Sequence, residues 1–173
     1  NKAPERGHTV LLMPAEYHIN RPIEIKKPVR LIGSHGGYVD LFFTNDDIYY
    51  GLKGGVVLVD NTEGIDVLKI GHKEETYPLT FGVWIENIAI SGLKNEELPA
   101  PNDVYKQGAG ISIRDVNFAY IRNVAVYRKE YGIRGTTTPG LPQPIPSLIT
   151  TIENVLLAYN LYGVWLDGFV EET

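Results

Sequence analysis

The feature that most constrains the fold of this chain is an internal repeat with asparagine in its third position. The pattern is Ile-x-Asn, then Ile or Val, then any residue, then an aliphatic one. It occupies residues 85–90, 121–126 and 152–157. A second repeat begins with glycine and continues with an aliphatic residue, at Gly110, Gly132 and Gly163. Internal repeats of this kind are typical of solenoids, in which each repeat buries its apolar face against its neighbours.

The spacing of the two repeats predicts the length of one coil. Asn123 and Gly132 are nine positions apart, and so are Asn154 and Gly163. We interpret the 22 positions from Gly110 to Gly132 as one coil without insertions. The longer intervals then contain an insertion of 14 residues ahead of Gly110 and one of nine residues between Gly132 and Asn154. Turn-forming residues are densest in the two insertions, at residues 98–103 and 138–144, which is typical of loops.

Short β-branched runs, bounded by Gly, Pro or Asn, take the place of helical periodicity. They include residues 9–13, 23–25, 29–32 and 56–59. Such runs are the signature of strands. With three short strands in a coil of about 22 residues, the sequence predicts an all-β, right-handed parallel β-helix that forms a single domain over residues 1–173. The alternative is a β-sandwich whose strands alternate in the same way by chance.

The repeated asparagine has a structural interpretation. It lies between two strand segments at a predicted sharp bend, where one residue must adopt the left-handed backbone conformation that Asn tolerates. Stacked at equivalent bends, Asn87, Asn123 and Asn154 are expected to bond one another through their side-chain amides, each donating to one neighbour and accepting from the other. The alternative, that these residues bind a ligand, is less favoured by the turn argument.

Composition excludes several classes of protein. The formal net charge is -5, which argues against a nucleic-acid partner because such binders usually carry a basic face. The chain has no cysteine, so disulfides and thiolate metal sites are excluded. No apolar run approaches the roughly 18 residues of a membrane-spanning helix. Because the four histidines lack metal-ligand spacing, no metal site is predicted.

The sequence resembles a known family. Residues 3–19 look like the opening of pectate-lyase-like β-helix proteins, and residues 22–25 and 29–33 are similar to the next strands of that family. The asparagine repeat matches the internal asparagine ladder of the same superfamily. Its members include polysaccharide lyases, polygalacturonases, inulin fructotransferases and phage tailspikes. The resemblance implies a polysaccharide or oligosaccharide ligand, an extracellular or virion-surface location, and no cofactor other than the Ca²⁺ that some family members use.

The two ends of the chain differ from the family pattern. The family's capping helix would precede Ala3, and residues 163–170 are interpreted as a strand in the middle of a solenoid. Both ends of the core would be open, whereas solenoids need polar caps. We therefore expect a fragment of a larger β-helix protein, or one chain of an assembly such as a homotrimer.

The candidate site lies on the outer face of the glycine-led strands. Alternation predicts two outward rows across neighbouring coils, the first with Ser112, Arg134 and Trp165 and the second with Arg114, Thr136 and Asp167. Lys69 is expected one coil earlier. Trp stacks on the CH faces of sugars and Arg pairs with carboxylates or hydroxyls. The predicted substrate-binding residues are Trp165, Arg114, Lys69 and Ser112. The alternative for Trp165 is ordinary packing under a loop.

The acids support catalysis less clearly. The predicted catalytic residues are Asp167, Arg134 and Asp115, with Glu130 a weaker candidate. Glycoside hydrolysis needs two carboxylates about 5–9.5 Å apart, and one coil away from Asp167 the sequence places Thr136. Adjacent acid pairs such as Asp46-Asp47 are interpreted as solvated loop charge.

Two functions from different classes therefore stay open. The first is a carbohydrate-active β-helix, acting as a lyase, hydrolase or transglycosylase on a polymeric glycan. The second is a non-catalytic solenoid, such as a viral tailspike, a fibre segment or a surface adhesin. The aromatic segment over residues 38–50 is interpreted as a lid, a β-hairpin or an oligomer contact.

Overall fold

The chain consists of strands and turns. The computed structural model describes residues 7–34, 38–43, 48–53, 55–71, 80–94, 100–101, 103–136 and 150–167, and none of these lies in a helix. The second predicted insertion loop, within residues 137–149, falls outside the described residues, as do residues 95–99 and 102 of the first. The acid pairs Asp46-Asp47, Glu74-Glu75, Glu96-Glu97 and Glu171-Glu172 also fall outside them. Within the described part, the strands are β1 (His8–Leu12), β2 (Ala15–Ile19), β3 (Ile23–Ile25), β4 (Val29–Gly33), β5 (Tyr38–Phe43), β6 (Ile48–Lys53), β7 (Val56–Asp60), β8 (Leu68–Gly71), β9 (Thr80–Ser91), β10 (Lys106–Arg114), β11 (Val116–Tyr127), β12 (Lys129–Thr136), β13 (Thr150–Ala158) and β14 (Tyr162–Leu166).

The strands form two parallel sheets that the chain visits in turn. The first sheet has the order β1-β4-β9-β11-β13, and β7 pairs with both β2 and β9. The second sheet has the order β14-β12-β10-β8-β3. Each pass of the chain adds one layer to the first sheet and then one strand to the second, always beside the previous pass. This all-β arrangement of parallel sheets is consistent with a β-helix.

The strand register confirms the predicted alignment of the repeats. Ile111 pairs with Ile133 and Ile133 with Val164 in the second sheet. In the first sheet Ile121 lies between Ile85 and Ile152. Ile111 and Ile133 are 22 positions apart, which is the predicted length of a coil without insertions.

The repeated asparagines lie where predicted and bond as predicted. Strands β9, β11 and β13 each bend at their asparagine, where φ is 56° at Asn87, 50° at Asn123 and 50° at Asn154. The amide Nδ2 of Asn123 donates to Asn87 Oδ1 at 3.0 Å, and Asn154 Nδ2 donates to Asn123 Oδ1 at 3.3 Å. The amides satisfy one another, which confirms the structural ladder.

Strand β4, which lies beside β9 in the first sheet, reaches the same bend with glycine in place of asparagine. Register continued from the pairing of Ile32 with Glu86 places Gly33 beside Asn87. A Cβ atom at Gly33 would lie 1.9 Å from the carbonyl oxygen of Asn87, so only glycine fits. After Gly33 the chain leaves the sheet and forms the antiparallel pair β5–β6, with Phe42 opposite Tyr49. Of the three interpretations of this aromatic segment, the β-hairpin is therefore the observed one.

The apolar core lies between the two sheets and runs along the stack. Ile85 and Ile121 from the first sheet, and Ile111 and Ile133 from the second, are all fully buried in one cluster. In the outermost described layer, the equivalent positions are open: Val164 is 47% exposed, although its neighbour Ile133 is 0% exposed. The inner column is thus complete in the middle of the stack and uncovered at its last described strand.

Candidate functional site

The predicted outward row crosses the second sheet in the expected register. Ser112 pairs with Lys69 on one side and with Arg134 on the other, and Arg134 pairs with Trp165. Trp165 is 44% exposed, whereas Ser112 is 0% exposed. Ser112 differs from the expectation of an exposed row because its short side chain lies between two long ones. The accessible part of the row therefore consists of Lys69, Arg134 and Trp165.

Three aromatic rings meet on this face and define the second-sheet aromatic patch: Tyr131, Tyr162 and Trp165. The rings of Tyr131 and Tyr162 are stacked, with centroids 5.1 Å apart and an interplanar angle of 19°. Trp165 contacts both rings edge-on, at 5.3 Å from Tyr162 and 6.2 Å from Tyr131. Sequence reasoning missed that the tyrosines join Trp165. The signal was available, because Tyr131 and Tyr162 each precede a repeat glycine, Gly132 and Gly163.

Arg134 lies against this patch in a fixed orientation. Its Nη2 atom donates to both oxygens of Asp66, at 3.0 Å to Oδ1 and 2.8 Å to Oδ2. Asp66 in turn accepts a hydrogen bond from the Ala109 amide at 2.9 Å, which ties it to β10. The guanidinium carbon of Arg134 is 5.2 Å from the centre of the Tyr131 ring. The guanidinium is therefore held beside the aromatic rings by structural contacts.

The environment of Tyr131 keeps its phenol protonated. Burial and then the nearby Glu130 carboxylate raise the pKa of Tyr131 above its ordinary value. Glu130 itself accepts a hydrogen bond from the Gly108 amide at 3.1 Å. Glu130 thus acts on the Tyr131 hydroxyl group and also helps to hold the backbone.

The predicted catalytic acids lie at different strand ends. Asp115 occupies the turn between β10 and β11 with φ of 55°, and its Oδ2 atom is 3.7 Å from Arg114 Nε. Asp167 is exposed after β14, and its backbone amide donates to the Gly135 carbonyl at 2.9 Å. Since β12 lies between β10 and β14, the backbones of the two acids are two strand steps apart, roughly 10 Å. The two acids are thus not on neighbouring strands, where the backbone spacing is about 4.8 Å.

Lys129 and Asp60 form a buried ion pair, a combination of groups that catalytic sites also use. Lys129 Nζ lies 2.7 Å from Asp60 Oδ2, and both side chains are 0% exposed. The ammonium group also donates to the carbonyls of Ile65 at 2.8 Å and Gln107 at 2.6 Å. All three of its protons are thus engaged within the fold. This pair stabilises the turn between β7 and β8 and is inaccessible to a substrate.

No group of three or more histidine and carboxylate side chains that could hold a metal ion occurs among the described residues. The described residues also contain no helix of the length and apolarity that a membrane span requires.

Comparisons of this chain with family models, with curated proteins and with solved structures found no match.

Proposed function

We propose that this chain forms coils of a right-handed parallel β-helix of the pectate-lyase-like kind and binds a polysaccharide on the outer face of its second sheet. The bare coil has about 22 residues, as from Ile111 to Ile133. Two parallel sheets visited in turn, a shared apolar core and a side-chain asparagine ladder support the fold. The second-sheet aromatic patch supports the ligand.

The observation that carries the ligand class is the contact of three aromatic rings beside a fixed guanidinium. One exposed aromatic side chain on a protein surface needs no explanation. Here Trp165 and Tyr162 touch each other, and both touch Tyr131. Sugar rings present apolar CH faces that pack on aromatic rings, and their hydroxyl or carboxylate groups accept hydrogen bonds from arginine. The patch and Arg134 provide both elements at one place.

The state of the nearby carboxylates favours binding over cleavage. Asp66 accepts hydrogen bonds from Arg134 and from a backbone amide, and Glu130 accepts one from a backbone amide. A general acid and a base must instead be free to exchange protons with the substrate. Asp167 is exposed but lies opposite Thr136, one strand away, where a second acid would be needed. We therefore propose a glycan-binding surface and not a catalytic site.

Affinity electrophoresis of the chain in gels containing acidic or neutral polysaccharides tests this function. Trp165→Ala and Tyr162→Ala are expected to weaken the retarding interaction at least about tenfold, since each removes a stacking face worth roughly 1.4 kcal/mol or more. Leu161→Ala is the matched control, because Leu161 is 48% exposed beside Tyr162 but lies outside the patch. Equal retardation of the wild type and of both aromatic variants would contradict the proposal.

A cleavage assay addresses the restriction to binding. The wild type is incubated with each retained polysaccharide, and released oligosaccharides are measured by mass spectrometry. We expect no release above the buffer control. Release that disappears in Asp167→Asn, with retardation in the gel unchanged, would show an enzyme in place of a binding surface.

A further inference from the structure

A second group of exposed aromatic side chains lies on the outer face of the first sheet. Trp84 on β9 pairs in register with Arg30 on β4 and with Tyr120 on β11. Trp84 is 41% exposed. Trp165 lies on the last described strand, but Trp84 has strands in place on both sides. The exposure of Trp84 is therefore a property of the complete stack and not of its edge.

Trp84 contacts both of its neighbours, and the three side chains define the first-sheet aromatic patch: Arg30, Trp84 and Tyr120. The ring centroids of Trp84 and Tyr120 are 4.5 Å apart with an interplanar angle of 45°. The guanidinium carbon of Arg30 is 5.2 Å from the centre of the Trp84 ring. The rings form a shallow angled platform that crosses two strands, with a donor group at one end.

A row of alternating charges runs beside this platform. In register order the row is Glu86, Arg122 and Glu153. Arg122 lies 3.9 Å from Glu86 and 4.0 Å from Glu153, and Arg30 closes the set at 3.3 Å from Glu86. Two guanidinium and two carboxylate groups give this surface no net charge. It offers hydrogen-bond donors and acceptors without an electrostatic preference for a charged ligand.

The orientation of the Tyr120 ring is fixed by this charged row. Its hydroxyl group donates to Glu153 Oε2 at 2.5 Å. The hydrogen bond to Glu153 raises the pKa of Tyr120, so the hydroxyl group stays a donor. A ring held in place loses little conformational freedom on binding, which favours affinity.

We propose that the first-sheet aromatic patch, with the row Glu86, Arg122 and Glu153, is a second saccharide-binding site and that it takes a neutral glycan. Sugar rings stack on Trp84 and Tyr120, and their hydroxyl groups bond to the neighbouring carboxylates and guanidinium groups. This second site rests on the proposed function, because its ligand class is taken from there. Its residues are separate from those of the second-sheet aromatic patch. The charged row places hydrogen-bond donors and acceptors along the edge of the aromatic platform, which matches the hydroxyl groups around a sugar ring.

The chain contains two tryptophans, one in each patch, which allows the sites to be observed separately. Trp165→Phe leaves Trp84 as the single tryptophan, and Trp84→Phe leaves Trp165. Each variant of the full chain is titrated with hydroxyethyl cellulose and galactomannan as neutral polymers and with polygalacturonate as an acidic one. We expect the emission of Trp84 in the Trp165→Phe chain to respond to a neutral polymer and not to polygalacturonate.

Two further variants in the Trp165→Phe background test the platform. Tyr120→Ala is expected to weaken the response at least about fivefold, whereas Thr151→Ala, next in the same row, leaves it unchanged. The apparent affinity should vary less than twofold up to about 0.5 M salt, because screening acts on charged ligands.

Three results would overturn the inference. The first is an unchanged Trp84 emission with both neutral polymers, and the second is a response that survives Tyr120→Ala. The third is self-association in sedimentation velocity that disappears in Trp84→Phe, since it would assign the patch to a second copy of the chain. If Trp165 responds and Trp84 does not, this inference fails and the proposed function stands; the reverse result removes the second-sheet aromatic patch alone.

Discussion

Two groups of charged side chains contrast in position within the same stack. Asp60 and Lys129 are fully buried at the turn between β7 and β8, 2.7 Å apart. Arg122 and its two glutamates lie on the outer face of the first sheet, where Arg122 is 42% and Glu153 is 46% exposed. The buried pair links residues from different coils and also bonds to backbone carbonyls. The exposed row also links different coils, but through side-chain ion pairs at the surface.

The contrast shows how burial decides what a charged side chain does. A buried ion pair must be complete, because removing one partner leaves an uncompensated charge in a medium of low polarity. In an exposed pair, water can solvate each charged group in place of its partner, so the pair contributes little to stability. The first therefore holds the turns of the coil in place, and the second stays available to a ligand. The following predictions range from the largest expected effect to the smallest.

Lys129→Met should destabilise the fold most. The change keeps an unbranched side chain but leaves Asp60 without its cation, so we expect a loss of about 3–5 kcal/mol in the free energy of unfolding. Urea denaturation followed by circular dichroism measures it. Lys106→Met is the control, since Lys106 donates to the Asp60 backbone carbonyl at 2.8 Å and not to its carboxylate, among the contacts of the described residues. A loss of less than about 1 kcal/mol in Lys129→Met would mean that the pair is not required.

Asn123→Ala should have an intermediate effect, because the asparagine ladder is half-buried. Asn123 both donates and accepts within the ladder and holds φ at 50°. Losing two hydrogen bonds and placing alanine in the left-handed region should cost about 2–3 kcal/mol. Asn154→Ala, which removes one ladder bond at an exposed position, should cost less. Equal losses in the two variants would contradict the assignment of two ladder bonds to Asn123 and one to Asn154.

Acid should weaken the buried pair in a predictable direction. Burial alone would raise the pKa of Asp60, but hydrogen bonds from Lys129 and Thr62 outweigh it and hold the pKa below its usual value of 3.8. The unfolded chain therefore binds the proton first, and the stability from this group is present above pH 3.8 and lost as the pH falls through the lowered pKa. The measurement is the difference in unfolding free energy between wild type and Asp60→Asn from neutral to acid pH. A difference that grows on acidification would contradict the assignment.

Arg122→Gln should have the smallest effect on stability. Its ion pairs with Glu86 and Glu153 are long, and Arg122 itself is 42% exposed, so we expect a change of about 1 kcal/mol or less in urea denaturation. Added salt should reduce that difference further. A loss comparable to that of Lys129→Met would show that the exposed row is structural, and it would weaken the case for a ligand at the first-sheet aromatic patch.

Much of the stack could be predicted from local patterns. Strand β4 and strand β7 follow from short β-branched runs, and the bend at each repeated asparagine follows from its tolerance of the left-handed region. The pairing of Arg134 with Trp165 follows from aligning the glycine-led repeats. The burial of Ser112 could not be predicted in this way, because alternation assigns a side to a residue but not the length of its neighbours.

What the sequence by itself determined is the repeating unit: an all-β chain with a coil of about 22 residues, asparagine bends and outward rows. These features depend on residues close together in the chain, where alternation and turn preference act directly. Only the tertiary structure brought Asp60 to Lys129, which are 69 positions apart, and joined Trp84 to Arg30 and Tyr120. Such contacts depend on how the coils stack across insertions of different length, and no local pattern carries that information.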